Sequence, residues 1–158
     1  DPSNMAAAWW GGAEAAYYGV AETNFGVNPS LDPGFYGRGF YFSQFPRYSD
    51  HYVQMLGRHH QSVLMSWVLL GTPFPVTERI DQPNKLFGKE CGCGSPCRDG
   101  VAASVADHDS HYVVVKKDLK YDYQPCPIDE EPEGDELVIP LSSPPEISRS
   151  RILPSVIV

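Results

Sequence analysis

Residues Gly34 to Tyr52 read GFYGRGFYFSQFPRYSDHY: a glycine-rich turn, a short aromatic strand, a loop and the start of a helix. Tyr41 and Tyr52 stand eleven residues apart, and Ser49 lies three before the second. Two flat π-faces with a hydroxyl nearby suit a planar amide ring, because stacking holds such a ring and hydrogen bonds fix its orientation. The same residues also fit an aromatic strand followed by a capped helix, and sheet or core packing is the commoner fate of tyrosines. A second cluster is C-G-C-G-S-P-C, with Cys91, Cys93 and Cys97; Cys126 stands apart. Structural zinc usually takes a C-x-x-C knuckle plus a second pair, which this spacing does not supply. His108 or His111 could complete a zinc site, but a disulfide in an oxidising compartment or plain reduced thiols are the better readings of this spacing. No metal site is expected, and the cysteines do not settle the compartment.

The aromatic segment resembles the second signature of the poly(ADP-ribose) polymerase-like ADP-ribosyltransferases. That signature reads glycine-x-glycine-x-tyrosine-phenylalanine, then serine-x-x-tyrosine. Gly37, Gly39, Tyr41, Phe42, Ser49 and Tyr52 match it in order and spacing. The family's first signature is a strand ending in histidine-glycine before a small or hydroxyl residue, and Ala8-Trp9-Trp10-Gly11-Gly12 stands in its place. Its third is a glutamate opening a strand near the C-terminus, which Asp135-Glu136-Leu137-Val138-Ile139 looks like. The resemblance spans about Ala8 to Val158. It departs at Trp10, where the family has histidine. Gly134 stands where the arginine-modifying branch carries glutamate or glutamine, so the tyrosine-bearing branch is the one that fits.

At 158 residues one domain is the natural count, and strands that outnumber helices predict an α+β fold over residues 1–158 with a mostly antiparallel sheet and a few short helices; the resemblance implies that the sheet is split. It also implies NAD as substrate. Breaking the bond between nicotinamide and ribose develops positive charge on the ribose, and a fixed carboxylate stabilises that charge where it appears. Glu136 would be this catalytic group, although it is also the last charge of an acidic run. Tyr41 and Tyr52 would sandwich the nicotinamide. Gly11, lacking Cβ, would offer its backbone N–H and C=O to the carboxamide, and Ser49 would be the third anchor. Arg38 in the glycine turn would approach the diphosphate, or simply face solvent. Trp10 would border the adenosine half, either filling part of its pocket or stacking on it. Without the histidine, transfer of single ADP-ribose units is expected rather than polymer, to an acceptor still to be named. A weak or inactive NAD- or ADP-ribose-binding module, or a protein-interaction module on the same fold, is the rival expectation.

These groups need elements to hold them. Met5 to Trp10 reads as a strand, and Ala13 to Glu22 as a helix with Glu14 favourable in its first turn. Asn24 to Pro33 reads as a loop and Phe40 to Ser43 as a short strand. Ser49 fits the N-cap of a helix through about Gly57. Val63 to Leu70 is apolar apart from Ser66 and predicts a fully buried strand. Pro73 to Gly88 reads as a connector and Lys89 to Asp109 as a long loop. HYVVVK at 111–116 is a strong β signal. Glu136 to Leu141 predicts a strand with Pro140 near an edge or end, and Ile152 to Val158 a last strand.

The chain's net charge of −8 argues against nonspecific duplex binding, and makes a protein acceptor a better fit than a nucleic acid. Between Asp118 and Glu136 eight acidic residues face one lysine, Lys120, giving net −7. Such a run usually marks a solvated loop. No apolar run reaches the roughly 18 residues of a membrane span. A cytoplasmic or nuclear setting is the favoured compartment. The first signature strand starts so near residue 1 that a larger parent protein is expected.

Overall fold

A computed structural model describes residues 4–25, 36, 39–55, 62–77, 107–119, 122–140 and 152–157. Over these residues the chain is an α+β fold dominated by antiparallel pairing, with two helices and eight strands. Strand β1 (Met5–Trp10) leads into helix α1 (Glu14–Thr23). Strand β2 (Gly39–Phe42) leads into helix α2 (Pro46–Met55). Strands β3 (Leu64–Leu69), β4 (Pro73–Pro75), β5 (Ser110–Asp118), β6 (Asp122–Pro125), β7 (Gly134–Pro140) and β8 (Ile152–Ile157) complete the set.

The sheet is split in two. One half has the order β1-β3-β8, and the other β2-β7-β5-β4 with β6 also paired to β5. The halves meet where Trp9 and Ser43 exchange backbone hydrogen bonds of 2.7 and 2.9 Å. The β4–β5 pairing is parallel, and the other ladders are antiparallel.

Side-chain alternation then sorts the residues into layers. Ala8, Leu64, Val68 and Ile152 face inward from the three-stranded half, and Phe40, Phe42, Leu137 and Ile139 from the other, with Tyr17 and Phe25 packed among them. The far face of the five-stranded half carries a second cluster of Tyr36, Tyr48, Val76, Val113, Val115 and Val138. Helix α1 ends at Asn24, whose φ of 66° and ψ of 178° lie outside the left-handed helical well, a strained conformation for a residue with a Cβ. Its amide donates to the Ile152 carbonyl at 2.8 Å and ties the helix to β8.

Four expectations change. The 73–88 connector begins with a strand, β4, and the acidic stretch contains another, β6. Both are short and end in proline, so no run of apolar residues marked them. The acidic run is not one solvated loop, because Asp135 and Glu136 at its end are buried in β7. Strand β3 is buried on one face only: Leu64, Ser66 and Val68 are inside, and Trp67 is exposed on the other side. Helix α2 starts at Pro46, not Ser49. Proline suits a first helical turn because it lacks the N–H that has no partner there, and Ser43 Oγ accepts from Phe45 N at 3.0 Å just ahead of it. Cys91, Cys93 and Cys97 lie outside the described residues. Among the described residues no helix is long and apolar enough to cross a membrane.

Leu137 sits at the centre of the inner cluster with no exposure. Truncating it leaves a cavity that rigid flanking strands cannot fill. Leu137→Ala is expected to cost about 2–5 kcal/mol of stability, read as a lower urea midpoint at unchanged slope. A loss under about 1 kcal/mol would show that the site collapses to fill the gap.

Candidate active site around Glu136

Glu136 is the second residue of β7 past Gly134, and its side chain points to the face that carries Val138. It is 4% exposed. A carboxylate taken this far from water needs donors, and helix α2 supplies them. Tyr48 and Tyr52, one turn apart, both direct their hydroxyls at Oε1 of Glu136. The Tyr52 bond is 3.1 Å and the Tyr48 bond is the closer one. The two hydroxyls are 3.1 Å from each other. Each phenol has one proton, so at most two edges of this oxygen triangle are hydrogen bonds at once. Burial, and then the Glu136 charge, pushes the Tyr48 phenol far above its usual pKa, so it stays protonated and acts as donor.

Helix α2 straddles the split between the sheet halves. On one side its tyrosines meet Glu136. On the other, Ser49 Oγ donates to the Trp9 carbonyl at 2.9 Å. Gly11 lies directly against the helix: a Cβ there would come 2.5 Å from the Ser49 carbonyl oxygen and 2.9 Å from Cγ2 of Val53. Any side chain at position 11 would push the helix off β1. Asp135, pointing the opposite way from Glu136, clamps the loop before the helix. Its Oδ1 accepts from Ser43 Oγ at 2.8 Å and from Gln44 N at 2.7 Å.

Tyr41 pairs with Val138 across β2 and β7, and so shares the face of Glu136. Glu136 is its diagonal neighbour, a separation of about 7–8 Å in ordinary sheet geometry. The Tyr41 hydroxyl accepts from Tyr36 N at 3.0 Å. His111 Nδ1 is 2.7 Å from the Tyr36 carbonyl, which can only accept, so Nδ1 carries the proton. Tyr41 is thus tied to Tyr36, and Tyr36 to β5.

Of the residues singled out from the sequence, Glu136, Tyr41, Ser49, Tyr52 and Gly11 gather on and around α2 and β7. Trp10 does not join them. Its ring packs edge-on against Tyr17 at 5.6 Å and Phe25 at 5.2 Å, in the layer on the opposite face of the five-stranded half. A Cβ on Gly12 would collide with that ring at 2.0 Å. Period-two alternation from buried Ala8 turns Trp10 toward that cluster, and it packs half-buried at the cluster's border. Ser49 is not the helix cap, because the helix begins three residues earlier; its proton goes to Trp9, and its lone pairs can still accept. Arg38 lies outside the described residues.

Tyr48 and Asp135 were missed. The signal for Tyr48 is its spacing of four from Tyr52, which puts both on one helix face once the helix starts at Pro46. Among the described residues no three His, Cys, Asp or Glu side chains gather as metal ligands do. No family model matches the chain, and a search of curated proteins finds no match.

Asp135 offers a test of this arrangement. Burial raises its pKa, against the opposing hydrogen bonds from Ser43, Gln44 and Tyr112. A carboxyl raised in the folded state contributes stability that is complete below the unfolded value, about 3.9, and is lost as pH rises through the folded value. Measured by urea midpoints, the stability of the natural chain relative to Asp135→Asn should therefore fall between about pH 3.5 and pH 7. A difference that does not change with pH would contradict the burial argument.

Proposed function

We propose that this chain is an NAD-dependent ADP-ribosyltransferase that releases nicotinamide and passes single ADP-ribose units to an acceptor nucleophile. The observation that carries the reading is the contact between Tyr52 and Glu136, 84 residues apart in sequence. The two segments that resemble the family's tyrosine and glutamate signatures come from distant parts of the chain and meet. Tyr41 shares their sheet face, and Ser49 and Gly11 pack back to back beside them. In this scheme Tyr41 and Tyr52 hold the flat nicotinamide. Ser49 accepts a hydrogen bond from its carboxamide, and the Gly11 backbone completes the recognition. Glu136 then stabilises the positive charge that grows on the ribose as the C–N bond breaks.

The placement of Trp10 supports a second reading, a binding module with little or no turnover. Where the resemblance expects a histidine able to hold a ribose hydroxyl, this chain has an indole that packs edge-on against Tyr17 and Phe25. Under this reading the Glu136 pocket takes NAD or ADP-ribose without breaking it.

Incubation with NAD labelled in the adenylate half, reading free nicotinamide and protein-bound label together, separates the two. The transferase reading expects both signals. It further expects Glu136→Ala to slow nicotinamide release by roughly 10²–10³-fold, with NAD binding changed far less because the tyrosine rings remain. Binding without nicotinamide release supports the module, and no binding at all removes both readings.

The exposed acids Asp129, Glu130, Glu131 and Glu133 lead directly into β7. On the transferase reading they steer basic acceptors to the site. Raising salt should then depress acceptor modification more steeply than NAD hydrolysis. Equal salt dependence would leave the run without a role in acceptor choice.

A further inference from the structure

We infer that Tyr48 is the positioning residue for Glu136: its ring is seated over Gly134, and its hydroxyl fixes the carboxylate from the side. This deepens the transferase reading and rests on it for its consequence in turnover. The contact itself does not.

The device is built from three elements. Gly134 and Glu136 are two apart on β7 and so share a face. A Cβ on Gly134 would lie 2.6 Å from Cδ2 and 2.8 Å from Cγ of Tyr48. The missing side chain at 134 is therefore the seat of the Tyr48 ring. From that seat the hydroxyl reaches Glu136, one pleat further along the strand. Tyr123, from β6, meets the ring edge-on at 4.7 Å, and Tyr52 does so at 5.1 Å. His51 packs in turn on Tyr123 at 5.5 Å. The ring is 5% exposed and walled by aromatic neighbours, so its oxygen is fixed in space.

A glutamate side chain has three rotatable bonds, and leaving it free to sweep costs a charge-stabilising group its aim. Two donors converging on Oε1 remove that freedom and fix where Oε2 points. Tyr52 cannot do this alone while its ring also serves a bound ligand. Tyr48 lies deeper and has no such second task. Position 134 therefore cannot carry a side chain of its own, because helix α2 delivers a hydroxyl into that space.

Two variants and one spectrum test this. Tyr48→Phe keeps the ring and removes the oxygen. Gly134→Ala keeps the oxygen and displaces the ring. Both should lower kcat for nicotinamide release by about 10–100-fold, the usual effect of losing a residue that orients a reacting group. For Tyr48→Phe the KM for NAD should stay within about threefold, since the Tyr41 and Tyr52 rings keep their places. Gly134→Ala moves a neighbour of Tyr52 and carries no such limit on KM. Tyr48→Phe with kcat within about twofold of the natural chain would overturn the inference. Proton NMR tests the contact without turnover. The natural chain should show a downfield, slowly exchanging tyrosine hydroxyl proton that is absent from Tyr48→Phe and shifted in Glu136→Gln. If the natural chain releases no nicotinamide but shows this proton, the transferase reading fails and the positioning contact stands. If no such proton is seen, the positioning contact itself is wrong, whatever the turnover.

Discussion

Most of this structure follows from keeping one carboxylate inside. Glu136 is almost wholly removed from water, and an uncompensated buried charge is among the costliest features a small domain can hold. The donors that make it tolerable stand on a helix from the other half of the sequence. That helix must therefore be placed to within the tolerance of a hydrogen bond. Three contacts place it. Asp135 clamps the loop before it, the Trp9 carbonyl receives Ser49, and Gly11 lets the end of β1 lie flush against it. Asp135 and Glu136 are neighbours in sequence and point in opposite directions. The dipeptide thus anchors the helix through one side chain and receives its tyrosines with the other.

The two faces of the five-stranded half have different chemistries. The inner face is a hydrocarbon and aromatic core that takes up Trp10, Phe25, Phe40 and Phe42. The outer face gathers tyrosine hydroxyls, His111 and Glu136 around a thinner valine layer. A strand segment such as Gly39–Phe42 serves both at once, with Phe40 and Phe42 turned one way and Tyr41 the other. Trp10 belongs to the first face.

The long strands were legible in the sequence because their signal is local. MAAAWW, HYVVVK and ELVI carry enough apolar residues to be strands wherever they are put. The α+β class followed from counting them. The grouping of Tyr41, Tyr52, Ser49, Gly11 and Glu136 came from resemblance, and no periodicity contains it. What escaped depends on contacts made at a distance. PFP and DYQP become strands because β5 offers them an edge, and nothing in four residues announces that. Ser49 has the residue type and spacing of a cap, but its hydroxyl is drawn to Trp9, forty residues earlier. Gly134 looked like a missing acidic group. Its meaning is the ring of Tyr48, which arrives from 86 positions upstream, and only the fold brings the two together.

The short strands have one more consequence. The side of β5 away from β7 is shared between β4 and β6, and proline ends both, at Pro75 and Pro125; β8 carries Pro154 within its span. Proline has no N–H to offer, so each of these borders is a poor template for an incoming strand. A chain with this many apolar β segments is exposed to templated misassembly while it is being made, before its core closes. At these three borders an incoming strand finds its ladder interrupted by proline. In β4 and β6 the proline that hid the strand from sequence reading is also what blunts it as a template.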